Sequence, residues 1–390
     1  MKKNISNKKK IIFVSATRAD YGKLKSLMGA IKESSKFDYK IFITGMHNLK
    51  KYGNTYQEIL KDKFKKFSRF NNQKINDPMD IVLSNTIRGF HNYVLKTKPD
   101  LVIIHGDRVE PLACAIVCSL NNILIGHIEG GEISGTVDEM LRHSISKLSH
   151  FHFVSNKDAK KRLLQMGELQ KNIFVIGSPD LDIIKSNFLP DIDEVKKRYD
   201  IKFSNYGILL HHPVTTDIKN IELQSKNICK AILKSKKNFI IIYPNNDLGS
   251  NIILKNYLKY LKGEKFKILP SLRFEYFVTL MKNSSLIIGN SSAGVREAPV
   301  LGVNSINLGS RQHKRSKFKN IINLEFNQNL ITKNIISSFK RKNFLQSFCE
   351  FGHGDTAKRF VQIISKPNFF NLKTQKHFKD LNINFTLYRH

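Results

Sequence analysis

The chain has 390 residues and a mass of 44.9 kDa, with 41% hydrophobic, 10% aromatic and 25% charged residues. That composition excludes a disordered chain, a coiled coil, a collagen and a disulfide scaffold, and the length suits two domains of ordinary size. The 65 Lys and Arg against 32 Asp and Glu give a net charge of +33, which points to anionic partners without choosing among nucleic acid, a membrane surface and small anions.

No apolar run approaches the roughly 20 residues needed to cross a bilayer. The strongest runs, residues 11–14, 101–104 and 239–243, have strand length. The charged start MKKNISNKKK is followed by an apolar stretch that Arg18 and Asp20 cut too short for an export signal, so a cytoplasmic protein with no membrane partner is expected. Lys is spread along the whole chain without interleaved aromatics or a nucleic-acid module pattern, so nucleic acid is not the expected partner. Cys114, Cys118, Cys229 and Cys349 have neither CxxC nor zinc-ligand spacing and read as reduced core thiols.

Short β-branched runs alternate with stretches of helical period, the pattern of an α/β protein with parallel sheets. Strands are predicted at 11–15, 39–44, 101–105, 123–127, 151–154 and 173–176 in the first half. The segment 188–203 has mixed charges and no core pattern, and reads as a linker. A second series follows at 206–211, 239–243, 266–269, 286–289 and 303–308. The expected division is 1–190 and 191–365, two Rossmann-like domains, with a tail from 366 to 390.

Ligands of open α/β sheets sit beyond the carboxyl ends of strands, so strand-end residues carry the functional reading. The first strand runs into TRADYG, where Arg18 at a helix amino terminus suits a phosphate, or stands as a surface Arg beside an Asp cap. No GxGxxG is present, which disfavours a dinucleotide. Later strands end in HGDRVE and HIEGGE, and Asp138, Glu139, Arg142 and His143 open the next helix. Asp107, Glu129 and Asp138 therefore converge on one sheet edge as acid/base candidates, the alternatives being helix caps, ion-pair partners or, for the HxE pair, metal ligands. In the second half HHPVTT, YPNNDLGS and GNSSAGVRE close three strands. Ser291 and Ser292 offer NH groups and hydroxyls to a phosphate, Glu297 offers a carboxylate to a ribose diol, and Arg311 adds an anion donor; the plain alternative is a Ser/Gly turn capping a helix.

Taken together, TRADYG, TGMH, HGDRVE, HIEGGEISGTVDE, RHSISKLSH, GSPDLD, HHPVTT, YPNNDLGS, GNSSAGVREAP and NLGSRQ resemble the hydrolysing UDP-N-acetylglucosamine 2-epimerases of bacterial sialic acid synthesis. The resemblance covers about residues 10–320 and continues through GHGDTAKRF at 352–360. It implies a GT-B architecture with a UDP-sugar in the cleft between two Rossmann-like domains, no cofactor and no metal, and a homodimer or homotetramer. By position it implies catalytic roles for Asp107, Glu129, Asp138 and His212. It places Arg18, Ser291, Ser292 and Arg311 at the diphosphate, Glu297 at the ribose, and Asn245 and Phe277 beside the uridine. The short loop HIEGGEISGTVDE resembles the hydrolysing form rather than the longer nonhydrolysing one. The implied reaction is anti elimination of UDP to 2-acetamidoglucal followed by hydration to N-acetylmannosamine. The rivals are the same reaction on UDP-N,N'-diacetylbacillosamine, a GT-B glycosyltransferase with an acceptor in place of water, and a basic nucleic-acid-binding protein without catalysis.

Overall fold

A computed structural model describes residues 8–312, 315, 318–341 and 350–381; Cys349 lies outside them. The first half forms a seven-stranded sheet from β1 (Lys9–Ser15), β2 (Phe37–Ile43), β3 (Phe67–Arg69), β4 (Leu101–His105), β5 (Leu124–Ile128), β6 (Phe151–Val154) and β7 (Ile173–Val175). Its order is β3-β2-β1-β4-β5-β6-β7, and every pair is parallel. The second half repeats the plan with β8 (Tyr206–Leu210), β9 (Asn238–Ile242), β10 (Phe266–Leu269), β11 (Leu286–Gly289), β12 (Asn304–Leu308) and β13 (Ile321–Leu324), ordered β10-β9-β8-β11-β12-β13 and again all parallel. Helices cover both faces, so β4, β5 and β6 are buried along their whole length and read as near-continuous apolar runs. This is the GT-B architecture expected from the sequence.

The strands that the periodicity predicts are present, with ends shifted by a residue or two. The two it misses, β3 and β13, are edge strands of three and four residues with mostly half-exposed or exposed side chains. A short strand at an edge needs no apolar run, so it leaves little signal. The expected linker is another correction. Within it the helix Ile192–Tyr199 starts at an Asp191 cap and buries Val195 against Leu280, Met281 and Val303 of the second half. Eight residues with one fully buried side chain show almost no periodicity, which is why the segment reads as linker.

Packing at the end of the chain departs from the expected division. The helix Thr356–Ile364, numbered with the second half, returns to the first: Phe360, Ile364 and Phe369 join the core beneath β6. Phe369 stacks on Phe151 with centroids 4.1 Å apart, and Phe360 meets Phe153 edge-on at 4.9 Å. The described part of the tail is bound as well, since Lys376 Nζ donates to the carbonyls of Lys147 (2.7 Å) and Ser149 (2.6 Å) and to Glu168 (2.7 Å). Cys114, Cys118 and Cys229 are free and buried, as core thiols are.

Candidate functional site

Both sheets reverse strand order at their centres, between β1 and β4 in one and between β8 and β11 in the other. The connections leaving such a pair run to opposite sides, which opens a crevice beyond the strand ends. Here the two crevices face each other and form one cleft of about 290 Å³. All eleven candidate residues line it: Arg18, Asp107, Glu129, Asp138, His212, Asn245, Phe277, Ser291, Ser292, Glu297 and Arg311.

The first sheet supplies the carboxylates. Beyond β5 the chain turns through Glu129 in a left-handed conformation (φ 66°), a strained state for a side-chain-bearing residue that is held by its contacts. Glu129 accepts from Ser178 Oγ at 2.6 Å, from Lys23 Nζ at 3.1 and 3.2 Å and from Arg296 Nη2 at 2.5 Å. His105 bridges behind it, with Nε2 3.2 Å from Glu129 and Nδ1 3.1 Å from Asp20. Burial pushes the Glu129 carboxyl up, but Arg296, Lys23 and His105 outweigh it and hold it well below the usual range. Burial would discharge His105, yet Glu129 and Asp20 raise it to about 9. Asp107 is bound by Arg142 and, against its burial, is held near 2 by Arg142, Arg315 and Arg311. Asp138 differs. Burial and the nearby Asp107 and Asp247 raise its pKa although Arg311 Nη2 stands 2.9 Å away and opposes them. His127 uses both ring nitrogens inside the sheet, on Ser146 Oγ (3.0 Å) and Gly106 O (2.9 Å), so the HxE pair is not a shared metal site.

The second sheet supplies polar groups with open valences. Gly289 ends β11 at φ 138°, and a Cβ there would lie 2.0 Å from Leu210 O, so only glycine lets the two strand ends come together. The next residue, Asn290, bonds the His212 backbone on both sides, accepting at 2.7 Å and donating at 2.8 Å. His212 Nδ1 accepts the Asn245 N–H at 3.0 Å, which puts the proton of the neutral ring on Nε2. Burial, Arg311 and His211 hold its pKa well below the usual value, so the ring stays neutral. Ser291 caps the turn that leads through Ser292 to Glu297, the first residue of a short helix. Glu297 is buried, its pKa raised chiefly by burial, and its Oε2 has no hydrogen-bond partner among the described residues. The same holds for Asn245 Oδ1 and for Nε and Nη1 of Arg18, whose Nη2 stands 3.5 Å from Glu58. Phe277 also lines the cleft and shares a core cluster with Ile242 and Leu272. Tyr276, its neighbour, turns outward against Tyr199.

Sequence reasoning passed over three of the cations that hold the carboxylates. Lys23 sits one turn into the helix that Arg18 begins, and Arg296 and Arg315 reach across from the second half to Glu132 at 2.6 and 2.8 Å. Both halves are further pinned at the rim, where Arg273 meets Asp62 (2.7 Å) and Arg108 meets Asn246 (2.9 Å). Arg296 was visible inside GNSSAGVRE but not its direction.

The protein is thus of the two-sheet GT-B class, with clustered carboxylates set across one cleft from a turn of small polar residues. Residues 29–365 match the family described as UDP-N-acetylglucosamine 2-epimerase, and the chain belongs to that family. It is 45% identical over 381 residues to the UDP-N-acetylglucosamine 2-epimerase of Neisseria meningitidis serogroup B, covering 96% of this chain and all of that one. It is 34% identical to the UDP-N,N'-diacetylbacillosamine 2-epimerase (hydrolyzing) of Legionella pneumophila, over 91% of this chain and 95% of the relative. Among solved structures, the UDP-GlcNAc 2-epimerase of Methanocaldococcus jannaschii in complex with UDP-GlcNAc and UDP shares the fold, with a TM-score of 0.77, 24% identity and coverage of 91% and 99%. No described helix is long and apolar enough to cross a membrane.

Proposed function

We propose that the protein is a hydrolysing UDP-N-acetylglucosamine 2-epimerase that converts UDP-N-acetylglucosamine and water to N-acetylmannosamine and UDP, for sialic acid synthesis. One observation carries the reading: Asp107, Glu129 and Asp138 occupy one wall of a cleft whose other wall holds His212, the Ser291–Ser292 turn and the unpartnered Glu297 oxygen. The uridine lies beside Phe277 and Asn245, Glu297 takes the ribose diol, and Arg18, Arg311 and the serine turn take the diphosphate.

The C2 proton of the sugar is weakly acidic, so its removal needs a positioned carboxylate while the leaving diphosphate is stabilised. In the first step the C1–O bond breaks with its electron pair leaving on UDP. The C2 proton passes to a carboxylate, and a C1–C2 double bond forms. In the second, water adds its oxygen to C1 and a proton reaches C2 from the opposite face. Glu129 and Asp138 form the proton-transfer pair. The raised pKa of Asp138 suits the group that takes the C2 proton from one face, whereas Glu129, held ionised, relays a proton from the adding water to the opposite face of C2. Asp107, fixed by Arg142, organises this wall. His212 donates from Nε2 to the departing phosphate without changing charge.

The test is turnover in heavy water: N-acetylmannosamine should carry one deuterium at C2 and UDP should appear in equal amount. A product that retains its C2 hydrogen, or a requirement for a sugar acceptor, would overturn this reading. The same reaction on UDP-N,N'-diacetylbacillosamine is the second reading, motivated by the hydrolyzing relative at 34% identity. Competition between the two UDP-sugars, with products identified by mass, decides between them.

A further inference from the structure

Arg296 is 1% exposed and spends its guanidinium almost wholly on the opposite half of the molecule. Nη1 donates to both oxygens of Glu132 at 2.6 Å, Nη2 donates to Glu129 at 2.5 Å and to Ser178 Oγ, and Phe351 packs under the plane with its centroid 4.7 Å from Cζ. Its backbone belongs to the turn that starts at Ser291 and ends at Glu297. One short segment thus carries the proposed diphosphate turn, the proposed ribose acid and the cation that grips Glu129. Burying a guanidinium is costly unless every charge is met, and this one is met only when the two halves are together. We propose that Arg296 is a positioning residue that fixes the placement and ionisation of Glu129 from across the cleft.

The groups facing this guanidinium set the charge balance. Glu129 and Glu132 oppose it directly; Asp180 and Glu297 add negative charge, while Lys23, Arg315 and His105 stand close to the same two glutamates. Separating the halves would leave Glu129 with Lys23 and His105 alone. Arg296 already grips Glu129, and a ribose on Glu297 with a phosphate on Ser291–Ser292 would hold the backbone from which it projects. Glu132 then acts as the anchor that aims the fork, and Arg315 at 2.8 Å neutralises what charge remains on it.

The inference rests on the epimerase reading, and its test separates the two. Arg296→Lys keeps the charge but loses the fork. The double variant Arg296→Met/Glu132→Gln removes one charge of each sign, so it avoids leaving an extra buried carboxylate and remains foldable, as melting curves will show. In both, UDP affinity by calorimetry should stay within about threefold of wild type, with KM similarly preserved, while kcat falls on the order of 10- to 100-fold. Because Glu129 loses its strongest counter-charge, it protonates at higher pH, and the ratio of kcat at pH 6 to kcat at pH 9 should drop at least about threefold, less in Arg296→Lys than in the double variant. A folded double variant with the wild-type ratio, whether its turnover is normal or uniformly reduced, would overturn the positioning role. Wild-type enzyme that releases no N-acetylmannosamine would instead defeat the reaction assignment.

Discussion

The two walls of the cleft solve opposite electrostatic problems. The first sheet gathers Asp107, Glu129, Glu132 and Asp138 and must neutralise them, which it does with Lys23, His105 and Arg142 and with Arg296, Arg311 and Arg315 from the other half. The second sheet leaves Glu297 Oε2 and Asn245 Oδ1 without partners among the described residues. The carboxylates of one wall are matched by fixed charges, and the other wall keeps buried polar groups without partners among the described residues. A group already matched by fixed charges does chemistry without reorganisation, whereas unmatched buried groups lose their desolvation cost only on binding, which favours affinity.

That contrast is most sharply tested on the saturated wall. Glu129→Gln and Asp138→Asn nearly keep shape but remove a proton-accepting oxygen, so each should lower kcat by on the order of 10² or more. UDP affinity, measured by calorimetry, should change little in either. Near-normal turnover in both variants would mean that these carboxylates only hold the halves together. On the proposed mechanism, Asp138 should also set the acid side of the pH profile. Its pKa is raised, so kcat should fall with decreasing pH above the range of an ordinary Asp, about 4; Asp138→Asn should abolish that limb.

His212 stands between the two behaviours, since its position is prepaid by Asn245 and Asn290 but its Nε2–H awaits a ligand. His212→Ala should reduce kcat by roughly 10- to 100-fold, the loss of one donor to developing negative charge. Being neutral across the working range, it should add no inflection of its own to the wild-type profile. On the open wall, Glu297→Ala should weaken UDP binding by about 1–3 kcal/mol, and Arg18→Ala, the first-half residue with open valences, by a similar amount. Unchanged calorimetric affinity in both would remove the proposed nucleotide site. The smallest effect marks the floor of the comparison. The exposed Lys9–Asp100 pair, at 2.8 Å, lies outside the cleft, and Lys9→Met should shift stability by less than about 1 kcal/mol in chemical denaturation.

The alternation of strands and helices, the buried parallel strands and the chemistry at their carboxyl ends were all legible in the chain, because period and composition are local properties. Strand-end residues such as Asp107, His212 and Ser291 could be picked out by that rule alone, since a parallel sheet brings its carboxyl ends to one edge. What the sequence left undetermined depends on contacts between distant segments. Arg296 and Glu129 are 167 positions apart, and nothing local to either says that they meet. The helix Ile192–Tyr199 shows too few core positions to announce itself, and Thr356–Ile364 carries an apolar face that either sheet could have received. Which sheet receives it, and which cation closes on which carboxylate, is set by how the two halves dock, a long-range matter of shape and charge that only the folded molecule decides.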